Sequence, residues 1–260
     1  MYYRACSCGY RWWASSERSF AVQFCRCRQS HVRESVLTLN AKPLTLQNTL
    51  FFILTHPGQS LHRSCVSDLV RWGVPPTNVI TKGGVSYNFK HGKRRLRGNE
   101  RTHFSFRHKW FPRVSKELGK RRAGSVAGVV YCESNTSFET SNVHGLLQYI
   151  NGYSSKDIFW LGYTRIRPSG YYGLRTQNAE IVQGSKCIVF RRRGLCRAWG
   201  AVTRTGRYGH LDFELSVYIR SAHLHVASRS MVGHRGHYST SLGDLAWKPS
   251  AQVIFGRQRC

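Results

Sequence analysis

The run Thr49–Leu50–Phe51–Phe52–Ile53–Leu54–Thr55 constrains the fold most, because it opens a strand–turn–helix–strand succession. A short, dense apolar stretch bounded by turn residues reads as a buried strand. His56–Pro57–Gly58 breaks it, and Leu61, Cys65, Leu69 and Trp72 then recur at helical spacing. Gly73 closes that helix and Pro75–Pro76 prevents its continuation. Asn78–Val79–Ile80–Thr81 supplies a second short strand. Strand, helix, strand is the unit from which parallel sheets are assembled, so the chain is expected to be α/β.

The same alternation continues downstream. Residues 82–110 are basic and Gly-rich and read as a loop bordering a site. A helix over Lys109–Arg122 would feed the strand Val126–Ala127–Gly128–Val129–Val130–Tyr131–Cys132. Val143–Ile150 reads as a helix, Ile158–Tyr163 as a strand, Ile181–Val182 and Cys187–Phe190 as further strands. Gly194–Val202 and Leu211–Ile219 read as helices, and the tail from Leu224 mixes short strands with Gly- and His-rich turns. Residues 1–45 are Arg-, Ser- and Cys-rich without either period, so they are expected to form a poorly ordered or non-native basic extension. Residues 46–260 are expected to be one α/β domain, without an internal repeat of fixed period.

Forty Lys and Arg against twelve Asp and Glu give a formal charge of +28. That predicts attraction to phosphate-rich partners, whether nucleic acid, anionic membrane or phosphorylated ligands, and says nothing about fold. Two basic runs stand out, Lys90–Arg97 and Arg191–Arg192–Arg193, and such blocks are most often solvated faces or loops. Nine cysteines cannot all pair within the chain. Cys6, Cys8, Cys25 and Cys27 form two C-x-C pairs, a spacing that departs from ordinary zinc sites, and the others read as small buried residues. No apolar run is long enough to span a bilayer, and no signal-peptide core is visible. A Golgi or ER lumen location would require a targeting segment missing from this chain; otherwise the expectation is cytoplasmic.

With so few acids, their positions are informative. Glu133–Ser134–Asn135 comes directly after the Val126 strand, and ligands in open α/β sheets sit beyond the carboxyl ends of strands. A carboxylate and an amide oxygen there are candidate ligands for a hard cation such as Mn²⁺ or Mg²⁺, weakened because Asn135 carries no charge. Gln183–Gly184–Ser185 precedes another strand, offering close backbone approach and a hydroxyl, though Gly-Ser turns are common. In His210–Leu211–Asp212–Phe213–Glu214, Asp212 or Glu214 could accept a proton from an acceptor hydroxyl; equally, Asp212 could simply favour a helix start. His234, His237 and Tyr238 lie in a Gly-flanked turn that reads as polar surface rather than a metal site.

The order of these pieces resembles glycosyltransferase family 25, the lipopolysaccharide and collagen galactosyltransferase type. Leu50–Leu54 with His56–Pro57 and the helix ending Trp72–Gly73–Val74–Pro75 look like its first β-α unit. Val129–Asn135 looks like its strand ending in an acidic triplet, and Val182–Leu195 like its Gly-Ser strand and basic turn. His210–Leu215 looks like its acidic helix start, and Ser230–Ser241 is similar to its C-terminal segment. The resemblance covers roughly residues 48–242. It implies a GT-A-like, mixed but mostly parallel sheet flanked by helices, and hexosyl transfer from a nucleotide-diphosphate sugar, UDP-linked, to a glycan or protein hydroxyl. Donor binding would fall to Glu133, Asn135, Gly184, Ser185 and Arg191, metal binding to Glu133 and Asn135, and catalysis to Asp212 and Glu214. Without a strong metal site, Arg165, Arg167 or Arg191 would clamp the leaving diphosphate. The rivals are an inactive transferase fold kept for binding, and a non-enzymatic nucleic-acid binder stacking bases on Tyr171, Tyr172 and Arg175 or on Arg101–Trp110.

Overall fold

The computed structural model describes residues 42–55, 61–81, 106–122, 124–139, 141–168, 180–204 and 211–235, with the backbone of short strands at 2–5, 11–14, 90–91 and 94–95. Strand β1 (Thr49–Leu54) is wholly buried, as its unbroken apolar run requires. Helix α1 (Leu61–Arg71) buries Cys65 and Leu69 and ends at Gly73, whose φ of +83° is the left-handed position glycine tolerates. The Val74 amide then donates to Leu69 O at 3.1 Å. Strand β2 (Val79–Ile80) pairs parallel with β1. After helix α2 (Phe111–Gly119), strand β3 (Gly128–Glu133) pairs parallel with β1 on its other edge. The chain therefore leaves β1 in one direction and returns on the opposite side, which creates a switch point between β1 and β3.

Strand β4 (Thr136–Ser137), helix α3 (Val143–Asn151) and strand β5 (Ile158–Gly162) come next. A hairpin, β6 (Arg165–Pro168) with β7 (Glu180–Gln183), leads into β8 (Cys187–Arg191), which lies between β3 and β5 and runs antiparallel to both. Helices α4 (Arg192–Arg204) and α5 (Leu211–Tyr218) precede β9 (Leu224–Val226), parallel to β5. The central sheet thus has the order β9-β5-β8-β3-β1-β2, with β8 alone reversed. A last strand, β10 (Gly233–His234), pairs with β4. Alternation along each strand sends Phe51, Val130, Phe159 and Val189 to the face covered by α1 and α3, and Leu50, Tyr131, Trp160 and Phe190 to the face covered by α2, α4 and α5. The expected α/β class and mostly parallel sheet flanked by helices are what the chain forms.

Some expectations need correction. The folded domain begins a few residues before residue 46: Leu44 and Leu46 are buried, and Leu44 exchanges two hydrogen bonds with the Asn151 side chain. Within the expected extension, Tyr2–Ala5 and Arg11–Ala14 form an antiparallel pair. The end of the expected 82–110 loop is a π-helical turn, Phe106–Trp110, running into α2. Phe106 and Trp110 stack at 4.6 Å inside the core, so neither presents a face to a nucleic-acid base. Lys90–His91 and Arg94–Arg95 pair as a small ladder. Cys65, Cys132 and Cys187 are buried free thiols gathered from α1, β3 and β8, as expected of small core residues. Cys6, Cys8, Cys25, Cys27, His56, Pro57, Tyr171, Tyr172, Arg175, His210, His237 and Tyr238 lie outside the described residues.

Candidate functional site

Because β8 is antiparallel, the residues leading into it meet the carboxyl end of β3. Cys187 stands opposite Cys132, and the ladder continues one step as the Glu133 amide donates to Lys186 O at 3.0 Å. Glu133 and Lys186 are therefore a cross-strand pair on one face, the arrangement in which opposite charges attract most effectively. Ser185 Oγ donates to Glu133 Oε1 at 3.0 Å, and Thr136 Oγ1 donates to Lys186 O at 2.8 Å. Gly184 adopts a φ of +87°, and a Cβ there would lie 2.6 Å from Thr164 Oγ1. Only glycine suits this turn. Its amide donates to Asp212 Oδ2 at 2.8 Å and its carbonyl accepts from Trp160 Nε1 at 2.9 Å. Asp212 lies in the first turn of α5 and also accepts from the Phe213 amide at 3.3 Å.

Burial dominates the electrostatics. It raises the Glu133 carboxyl above its ordinary range; Lys186 and the Ser185 hydroxyl pull it back, and Asp212 adds to the rise. Burial lowers the Lys186 ammonium, and Glu133 opposes that shift. The Tyr131 phenol, one pleat before Glu133, is raised well above its usual value by burial and then by Glu133. Its hydroxyl has no aligned partner, although Ser185 stands beside it. Two more polar atoms there are buried without a partner, Ser134 Oγ and Asn135 Oδ1. Asn135 Nδ2 lies 2.7 Å from His234 Nε2, brought over by the β4–β10 pairing; with the amide donating, His234 carries its proton on Nδ1. Buried polar atoms without a partner are uncommon in folded proteins, and Ser134 Oγ and Asn135 Oδ1 are neighbours at this strand end.

Glu133, Asn135, Gly184, Ser185 and Asp212 are thus gathered at one end of β3. Glu214 is on the same helix as Asp212 but is fully buried, and α5 packs against β7. Arg191 is at the other end of the sheet, opposite Gly128 where β3 begins. It is 4% exposed, donates to Lys42 O and Ile150 O, and lies over the Phe159 ring. The reversed direction of β8 separates it from Lys186 by the length of the strand, so it does not join the cluster. Of the other arginine candidates, Arg165 pairs with Gln183 in the β6–β7 register and bonds its side chain, beside Gly184, while Arg167 is two residues further along. Among the described residues, no group of three His, Cys, Asp or Glu side chains is placed to hold a metal, and no helix is long and apolar enough to cross a membrane.

Lys186, Tyr131 and His234 are the members that sequence reasoning missed or set aside. A charged residue directly before an apolar strand is a signal, but its meaning depends on strand direction. Comparison of the chain with protein-family models yields no match, and none is found among curated protein sequences.

Proposed function

We propose that this protein is a glycosyltransferase of the family 25 type with a GT-A-like fold, moving a hexose from a nucleotide-diphosphate sugar to a glycan or protein hydroxyl. One observation carries the reading: Glu133, Gly184–Ser185 and Asp212, remote in sequence, meet at the carboxyl end of β3, beside the switch point where α/β sheets bind nucleotides. The single reversed strand and the helices on both faces are compatible with a GT-A-like architecture. In the proposed reaction the acceptor oxygen forms a bond to the anomeric carbon as the bond to the diphosphate oxygen breaks. The acceptor proton passes to a carboxylate, and Asp212 is the better placed of the two candidates because Glu214 is enclosed. Gly184 and Ser185 would border the sugar.

A second reading has its own support. Asp212 is engaged by two backbone amides, and Asn135 stands where a second acid would aid catalysis. Both features suit a transferase fold that binds nucleotide sugar without turning it over. Calorimetric titration of UDP into wild type and Glu133→Ala, followed by a sugar-transfer assay, tests both. Micromolar binding that weakens at least tenfold in the variant supports the donor site, and transfer then separates enzyme from binding module. No UDP binding by folded wild-type protein would overturn the reading. A salt-sensitive, sugar-independent affinity for RNA or DNA would instead favour a nucleic-acid partner drawn by the +28 charge.

A further inference from the structure

The family resemblance implies a divalent cation at the diphosphate, and the residues at the end of β3 do not suit one. A hard cation needs several anionic oxygens free to turn toward it. Asn135 contributes a neutral amide oxygen. Asp212 is held by the amides of Gly184 and Phe213. Glu133 accepts from Ser185 and faces Lys186 across the ladder. Lys186, a residue only 9% exposed, stands across the ladder from that carboxylate, and its charge would repel a second cation. We infer that the donor site works without a divalent metal and that Lys186 is the cationic group that receives the diphosphate. The inference rests on the nucleotide-sugar reading above. Lys186 suits the task physically: a compact point charge on a flexible stem can turn toward a phosphate oxygen at the same strand end. Arg191 cannot share it, being at the far end of β8.

Titrations of UDP and of uridine into the full chain, in EDTA and in Mn²⁺, test this with wild type, Lys186→Met and Lys186→Arg. The expected results are UDP binding in EDTA, less than a twofold change with Mn²⁺, and about 10–100-fold weakening by Lys186→Met, the range for losing a charged hydrogen bond. Uridine lacks phosphate, so its affinity should be the same in all three proteins, which also shows that the variants are folded. Lys186→Arg should restore part of the UDP affinity. If Mn²⁺ strengthens UDP binding tenfold or more and Lys186→Met leaves it unchanged, the inference fails while the donor-site reading stands. If folded wild type binds neither UDP nor uridine under either condition, the donor-site reading itself fails.

Discussion

Glu133 shows how a single side chain ties the site to stability. Its carboxyl is raised chiefly by burial, so the unfolded chain gives up this proton at a lower pH than the folded one. Well below the ordinary value of 4.5 both states are protonated and the residue contributes nothing. As the pH climbs through that value the unfolded state ionises first, and stability falls until the folded carboxyl has ionised too. Glu133→Gln lacks this loss. The stability difference between variant and wild type should therefore shift in favour of the variant as pH rises from below 4.5 toward neutral, read by urea unfolding at a series of pH values. A difference that stays flat or moves the other way would mean the carboxylate is comfortably solvated. Residue identity alone pointed to Glu133, Asp212 and Gly184, because acids are scarce in this chain and glycine permits a turn nothing else does. It could not point to Lys186, since forty basic residues make any one of them unremarked until its neighbour across the ladder is known.

The strands of the central sheet were largely legible, because most are short apolar runs, and so were the helices, which have a periodic face with a recognisable end. Direction was not. Apolar runs read alike in both senses, and only the hairpin β6–β7, hidden in a polar stretch, turns the chain so that β8 enters the sheet reversed. That reversal delivers Lys186 to Glu133 and carries Arg191 away. At the other end of the sheet, Asp157 holds elements together: it is 1% exposed and is bonded by Arg193 and Arg197 of α4, with His223 of the turn before β9 at 3.7 Å. Gly194 lets the helix approach, since a Cβ there would lie 2.2 Å from Asp157 O. Asp157→Asn leaves the two arginines crowded without their anion and should cost about 1.5–3 kcal/mol, the range for hydrogen bonds to a charged group. A thermal melt would show this as a clear drop, with UDP affinity little changed because the site is at the opposite end of the strands. An unchanged melting temperature would mean that solvent compensates both arginines fully.

At the scale of the whole molecule, chemistry and charge are divided unevenly. The +28 charge is spread along the chain, whereas the candidate site is nearly balanced, with Glu133 and Asp212 against Lys186. Global charge can draw phosphate toward the surface, and on the proposed reading the strand ends would hold it. The buried thiols add a consequence of their own. Cys132 and Cys187 face each other one residue inward from Glu133 and Lys186, and burial pushes the Cys132 thiol well up. Both thiols lie on the sheet face covered by α1 and α3, so neither can meet an alkylating reagent until that packing opens, and their labelling rate measures how often it does. On the proposed reading, a nucleotide that binds only the closed form should slow labelling by the factor 1 + [L]/Kd, about tenfold at ten times Kd, while the half-buried Cys196 on α4 reacts at its former rate. Mass spectrometry of iodoacetamide-treated protein would read both rates in one sample, and equal labelling with and without UDP would mean that UDP does not stabilise this packing. The core of this protein thus contains an intrinsic clock for the opening of one face of its own sheet.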